Sequence, residues 1–328
     1  MVDTFLACSV KFGCFNLLLD DLHITLMFSL IFMRILLTGK SGQVGSELNK
    51  VLSQFGEVIA TGRKEMNLAD PIQIQRVVQQ IKPELIINAG AYTAVDKAES
   101  DQELAKAVNA VAPKILAEEA KNNDALLIHY STDYSYNGKM NHRPYLESDS
   151  PAPNSVYGET KLQGDQAIEE SGVSHLIFRT GWVYSKRGKS FLNTILKLAK
   201  EKNELRVVND QTGTPTWCRS IAEATCKAIQ NLLEKREGSL SKTAANISGV
   251  YHMTCQGETN WHRFAQTILE LSCPENRSKL FAIPTSEYST PVIRPNYSVL
   301  SNTKLKKYFG IQLPHWEHAL KQCLSDIT

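Results

Sequence analysis

The sequence predicts an α/β fold built on a doubly wound parallel sheet, and three observations lead to it. Short apolar runs alternate with helix-period patterns from residue 34 to about residue 180. The first run ends in a glycine-rich turn that opens a helix. Polar clusters then fall at the carboxyl ends of the later runs, where ligands bind in open sheets of this kind.

The first strand is Arg34-Ile-Leu-Leu-Thr38, followed by Gly39-Lys-Ser-Gly42-Gln-Val-Gly45 and a helical pattern through Leu48, Val51 and Leu52. Gly39 allows the tight turn, Gly42 lets a pyrophosphate approach the backbone, and Gly45 lets the helix pack closely on the strand. The helix N-terminus then faces the phosphates. Glu57-Val-Ile-Ala-Thr61 is the second strand, and it should end where the adenosine ribose of a dinucleotide lies. An acid at that point would bond a ribose 2′-hydroxyl. Gly62-Arg63-Lys64 stands there instead, a basic turn that is either simply solvated or suited to a 2′-phosphate.

A helix is expected over about 72–81, then a buried strand, Glu84-Leu-Ile-Ile-Asn88, ending in Ala89-Gly90-Ala91. One further helix carries Leu104, Val108, Val111 and Leu116. Ala125-Leu-Leu-Ile-His129 is the next strand and delivers Ser131-Thr132-Asp133. A loop rich in turn formers leads to a helix bearing Tyr157, and His175-Leu-Ile-Phe178 is a strand ending in Arg179-Thr-Gly-Trp182.

Tyr157 and Lys161, four residues apart on a helix, share one face. A phenol titrates near pH ~10, and a lysine ammonium beside it pulls that value towards neutrality. Thr132, at the end of a buried strand, offers a hydroxyl to a carbonyl oxygen. Such a set protonates a carbonyl oxygen while a hydride reaches its carbon. The spacing alone is weak, because a half-buried ring and a solvated lysine share it. The glycine turn and the repeated strand–helix units give it weight.

Composition narrows the class. A formal net charge of +2 over 328 residues gives no electrostatic reason to expect nucleic acid. The 7 cysteines are scattered and form no CxxC, so neither a disulfide framework nor a zinc site follows, and a reducing cytoplasm is expected. Residues 1–32 lack the basic leader and cleavage site of a signal peptide. Their apolar run is shorter than the roughly 20 residues that span a bilayer, so no membrane association is expected. They read as an extension outside the fold, with a peripheral anchor as the alternative.

From residue 33 on, the sequence resembles the dTDP-4-dehydrorhamnose reductase family, within the extended short-chain dehydrogenase/reductases. The resemblance rests on the glycine turn and Tyr157-Gly-Glu-Thr-Lys161, with Asn88-Ala-Gly-Ala-Tyr-Thr-Ala-Val-Asp-Lys-Ala-Glu99, Ser131-Thr-Asp-Tyr134 and Arg179-Thr-Gly-Trp-Val-Tyr184. Asn209-Asp-Gln-Thr-Gly-Thr-Pro-Thr216, Gly249-Val-Tyr-His252, Arg294-Pro-Asn-Tyr-Ser298 and Leu313-Pro-His-Trp316 extend it. It implies a Rossmann-type nucleotide-binding domain over 33–204 and a small substrate-binding lobe over 205–328, interleaved with the core. It implies Tyr157 as proton donor, Lys161 as its activator and a nicotinamide-ribose ligand, and Thr132 and Asp133 on the sugar with Trp182 packed against it. Gly42, Gln43 and Val44 would cradle the pyrophosphate, Asn67 and Leu68 would lie near the adenine, and Ala91, Tyr92 and Thr93 would line the cofactor. Arg294 would reach a diphosphate, with an ion pair between lobes as the alternative, and His252 reads as a core histidine. The implied cofactor is NADPH, favoured over NADH by Gly62-Arg63, and the implied partner is a dTDP-sugar. Some members bind magnesium through glutamates at a subunit contact. Glu47 matches one, but Arg219 stands where another is expected, so no metal ligand is assigned and a homodimer is left open. Related 4,6-dehydratases place a glutamate after Thr-Asp, where this chain has Tyr134. Two further alternatives are a 4-epimerase and a non-catalytic regulator like the regulatory subunit of methionine adenosyltransferase.

Overall fold

The computed structural model describes residues 33–140, 143–272 and 278–326. Residues 1–32, expected to be an extension, lie outside the described residues. Residues 33–328 form one unit around a six-stranded sheet. Its strands are β1 (Met33–Thr38), β2 (Gly56–Thr61), β3 (Leu85–Asn88), β4 (Leu126–Thr132), β5 (His175–Thr180) and β6 (Gly249–His252). They lie in the order β2-β1-β3-β4-β5-β6, and every neighbouring pair is parallel. β3, β4 and β5 are buried along their whole length, as their apolar runs require of strands covered on both faces. β6 comes from the C-terminal third, so the chain returns to the main sheet after leaving it.

The covering helices are α1 (Gln43–Val51), α2 (Pro71–Ile81), α3 (Ala112–Asn122), α4 (Val156–Ser171) and α5 (Cys218–Glu234). α1 packs on α5, while α3 packs between α2 and α4. Local chemistry sets their starts. The Asp70 side chain accepts a hydrogen bond from the Gln73 N–H, with Pro71 in the first turn of α2. Ser155 accepts from the Gly158 N–H and so places the first turn of α4, which carries Tyr157.

The single helix expected through Leu104 and Leu116 is interrupted. Gln102–Lys106 is α-helical, Ala107–Val111 is a π-helical turn, and α3 follows. Pro113 has no N–H, so the regular bond to the Asn109 carbonyl cannot form there. That carbonyl instead faces α4 at Gly164, where a Cβ would sit 2.1 Å from it. The π turn thus seats α4 against this segment.

The C-terminal elements are smaller. Glu204–Val208 pairs in parallel with Lys279–Ile283, and the Trp261–Ser272 helix packs on the Phe191–Glu201 helix. Among the described residues, no helix is long and apolar enough to cross a membrane.

Candidate active site

β1 lies between β2 and β3, so the order of strands reverses at β1, and a crevice opens at the carboxyl ends there. Gly39 turns at φ 70°, and a Cβ on it would lie 2.7 Å from the Gly90 backbone at the end of β3. At Gly45 a Cβ would approach the Gly39 carbonyl oxygen to 2.1 Å, so α1 could not follow the turn this closely. No side chain caps α1, whose first N–H groups are left for a ligand.

The resulting cleft has a volume of about 1020 Å³. Gly39, Gly42, Gln43 and Val44 line it at the turn, as do Arg63, Asn67 and Leu68 towards β2, and Ala91 and Thr93 after β3. Thr132, Asp133, Tyr157, Lys161, Trp182 and Arg294 line its other part. Two expected residues are absent from its lining. Gly45 is buried beneath the turn, and Tyr92 is turned aside: its N–H donates to Asn109 Oδ1 (2.9 Å) and its hydroxyl to Asp101 (3.1 Å).

At the β2 end, Arg63 is exposed on the rim. Lys40 pairs with Glu65 at 2.8 Å, and Glu65 also accepts from the Gly62 N–H at 2.8 Å. The lysine first, and then that N–H, hold the Glu65 carboxyl down at about 2. The carboxylate bonded to this turn is thus ionised and already paired with Lys40 and the Gly62 N–H.

At the other end, Thr132 accepts from the Tyr134 N–H (3.1 Å) and donates to Asp133 (3.2 Å). Its hydroxyl also meets the Tyr157 phenol. Burial raises Asp133 to about 6, although Ser298 and Thr132 bond it. Lys161 is 1 % exposed, and its Nζ lies 2.7 Å from the Tyr130 carbonyl and 2.9 Å from His129 Nε2. Burial lowers its ammonium to about 8, with Asp165 opposing. Burial opposes the expected pull of Lys161 on the phenol. Burial raises Tyr157 above its usual value, Thr132 only partly offsets this, and two of the Lys161 Nζ contacts go to β4.

Trp182 adopts φ 49° and stacks on Trp261, with ring centres 3.5 Å apart and planes within 3°. Both indoles line the cleft. Arg294 lines the cleft and pairs with Asp96 at 2.9 Å. His252 is fully buried against the Tyr136 hydroxyl at 2.9 Å, and burial lowers it to about 3.

The sequence reading missed Trp261, Lys40, Asn109 and His129. Pro113 inside a helical pattern was the available signal for the π turn that carries Asn109. Trp261 and His129 carried none, because a helix-terminal aromatic and a strand histidine are ordinary core residues.

A magnesium site does not fit at Glu47. Its carboxylate is paired with Lys50 at 2.8 Å and Arg219 at 3.1 Å, and Arg219 also meets Asp326 at 2.6 Å. Among the described residues, no group of three or more His, Cys, Asp or Glu could hold a metal.

Fold and cleft together define a dinucleotide-binding protein of the Rossmann type, with a tyrosine–lysine pair at the end opposite the basic rim. The chain belongs to the family described as RmlD substrate binding domain, whose model matches residues 33–328. It is 45% identical over 301 residues to a dTDP-4-dehydrorhamnose reductase of Burkholderia thailandensis, covering 90% of this chain and 99% of that protein. A dTDP-4-dehydrorhamnose reductase of Escherichia coli K12 is 41% identical over 305 residues, covering 90% and 98%. Among solved structures, the dTDP-4-dehydrorhamnose reductase of Bacillus anthracis in complex with NADP matches with a TM-score of 0.81 at 30% identity, covering 90% of this chain and 99% of that one. The Clostridium acetobutylicum reductase also gives 0.81, at 34% identity, covering 89% and 98%.

Proposed function

We propose that this protein is an NADPH-dependent reductase acting on the C4 keto group of dTDP-4-dehydro-β-L-rhamnose. The product is dTDP-L-rhamnose, a precursor of surface polysaccharide. The observation that carries the reading is that the glycine turn and Thr132, Tyr157 and Lys161 all open into one cleft.

The residues present fit a dinucleotide. The uncapped start of α1 and the Gly39–Gly42 turn suit a pyrophosphate, and Leu68 and Ala91 offer apolar surface beside it. Arg63 stands exposed where a 2′-phosphate would lie, while Lys40 is already paired. The cofactor, when bound, supplies the hydride for the keto carbon. Tyr157 gives its phenolic proton to the carbonyl oxygen, and Thr132 bonds the same oxygen. The raised phenol keeps that proton at neutral pH, so the resting side chain is in its donor form. Lys161 stabilises the phenolate that remains. Asp133 and Trp182 hold the sugar, and Arg294 serves the diphosphate.

The test is the loss of NADPH absorbance when dTDP-4-dehydro-β-L-rhamnose is added to the purified full-length protein. Consumption of NADPH with formation of dTDP-L-rhamnose is expected. NADPH binding without consumption would contradict the reading and favour a regulatory role.

A further inference from the structure

Behind Lys161 a line of buried polar groups crosses the sheet from β4 to β1. The Gly90 N–H donates to Thr38 Oγ1 (3.0 Å), and Thr38 Oγ1 donates to Asn88 Oδ1 (2.7 Å). Asn88 Nδ2 lies 3.0 Å from His129 Nδ1, and His129 Nε2 lies 2.9 Å from Lys161 Nζ. Thr38, Asn88, His129 and Lys161 are each at most 1 % exposed. Every link is within hydrogen-bond distance, so each member constrains the next.

The donor inventory allows the line two arrangements. In the one above, Asn88 donates to His129 Nδ1, so a neutral ring carries its proton on Nε2. That N–H then points at Lys161 Nζ, which must offer a lone pair and is a neutral amine. In the other, a Lys161 ammonium donates to Nε2 and the ring proton sits on Nδ1. Asn88 must then turn its carboxamide, presenting Oδ1 to His129 and Nδ2 to Thr38. The proton count of Lys161 and the tautomer of His129 therefore change together.

The other ionisable groups nearby do not take over this role. On α4, Asp165 Oδ1 is 3.9 Å from His129 Nε2, while its Oδ2 is held by Arg179 of β5 at 3.1 Å and by Ser131 at 2.8 Å. His175 of β5 is engaged with the Val173 carbonyl at 2.8 Å. Tyr157 shares α4 with Lys161 and meets Thr132. Burial first, and then the Lys161 charge, keep His129 well below its usual value, so the ring is neutral in both arrangements.

We propose that His129, oriented by Asn88 and Thr38, is a positioning residue that fixes the place of Lys161 and follows its proton by changing tautomer. Its importance for turnover rests on the reductase reading; its tautomer does not. The deciding experiment uses ligand-free, full-length protein labelled with 15N-histidine, with long-range 1H–15N spectra recorded from pH 6 to 9. The His129 signals are assigned by their loss in His129→Gln. The ring is expected to stay neutral and to move its proton from Nδ1 to Nε2 as pH rises through about 8, where the buried Lys161 ammonium titrates. A single tautomer across that range overturns the proposal.

A second readout is the pH profile of kcat. His129→Gln places an amide oxygen that accepts from an ammonium at every pH, and should move the Lys161-dependent arm upward by about one unit. His129→Phe offers no acceptor and should move it downward. Profiles that superimpose on the wild type would also overturn the proposal. Absence of any turnover in the wild type would sink the reductase reading instead, leaving the tautomer measurement to decide this one.

Discussion

At the Arg63 end of the cleft, Lys40 and Glu65 pair at 2.8 Å with 37% and 48% of their side chains exposed. At the Lys161 end, Arg179 and Asp165 pair at 3.1 Å with 4% and 0% exposed. Water screens the first pair, which leaves the basic rim free to exchange partners with a ligand. The second pair has lost its hydration, so each charge depends on the other. Ions at the rim should therefore govern affinity, and ions beneath the tyrosine–lysine pair should govern folding and proton position.

The largest effect on stability should come from splitting the buried pair. Arg179→Leu leaves the Asp165 carboxylate without its guanidinium and should lower the unfolding free energy by about 3–5 kcal/mol. Chemical denaturation followed by circular dichroism measures this. A loss near that of an exposed pair, below about 1 kcal/mol, would erase the contrast between the two ends.

A smaller and more selective effect is expected at the rim. Arg63→Ala should weaken NADPH binding by about 1.5–3 kcal/mol, the worth of a charge-assisted contact, with melting temperature unchanged. Titration calorimetry with NADPH and NADH on the same variant sharpens the comparison. Equal losses for both cofactors would show that Arg63 does not meet the 2′-phosphate.

The two ends also differed in how far they could be read from the sequence. The Gly39–Gly45 turn was legible because its glycines answer local needs, a positive φ and close backbone approaches, that fall within one strand–turn–helix unit. The Tyr157–Lys161 spacing was legible for the same reason, since helix geometry places both on one face. The setting of Lys161 was not. It depends on His129 from β4 and Asn88 from β3, brought together by strand register that no local pattern encodes. Trp261 is likewise 79 residues from Trp182 in sequence, and nothing in either segment announces the stack. The interrupted helix before α3 lay between these cases: Pro113 marked the fault, and apolar periodicity concealed it.

Proton donation by Tyr157 is the central claim, and Tyr157→Phe tests it most directly because it removes a single oxygen. In the NADPH absorbance assay with dTDP-4-dehydro-β-L-rhamnose, the variant should bind NADPH and melt as the wild type does, yet lose roughly 10²–10⁴-fold in kcat. A variant that keeps more than about a tenth of wild-type kcat would contradict the account, because a general acid of this kind contributes more than that.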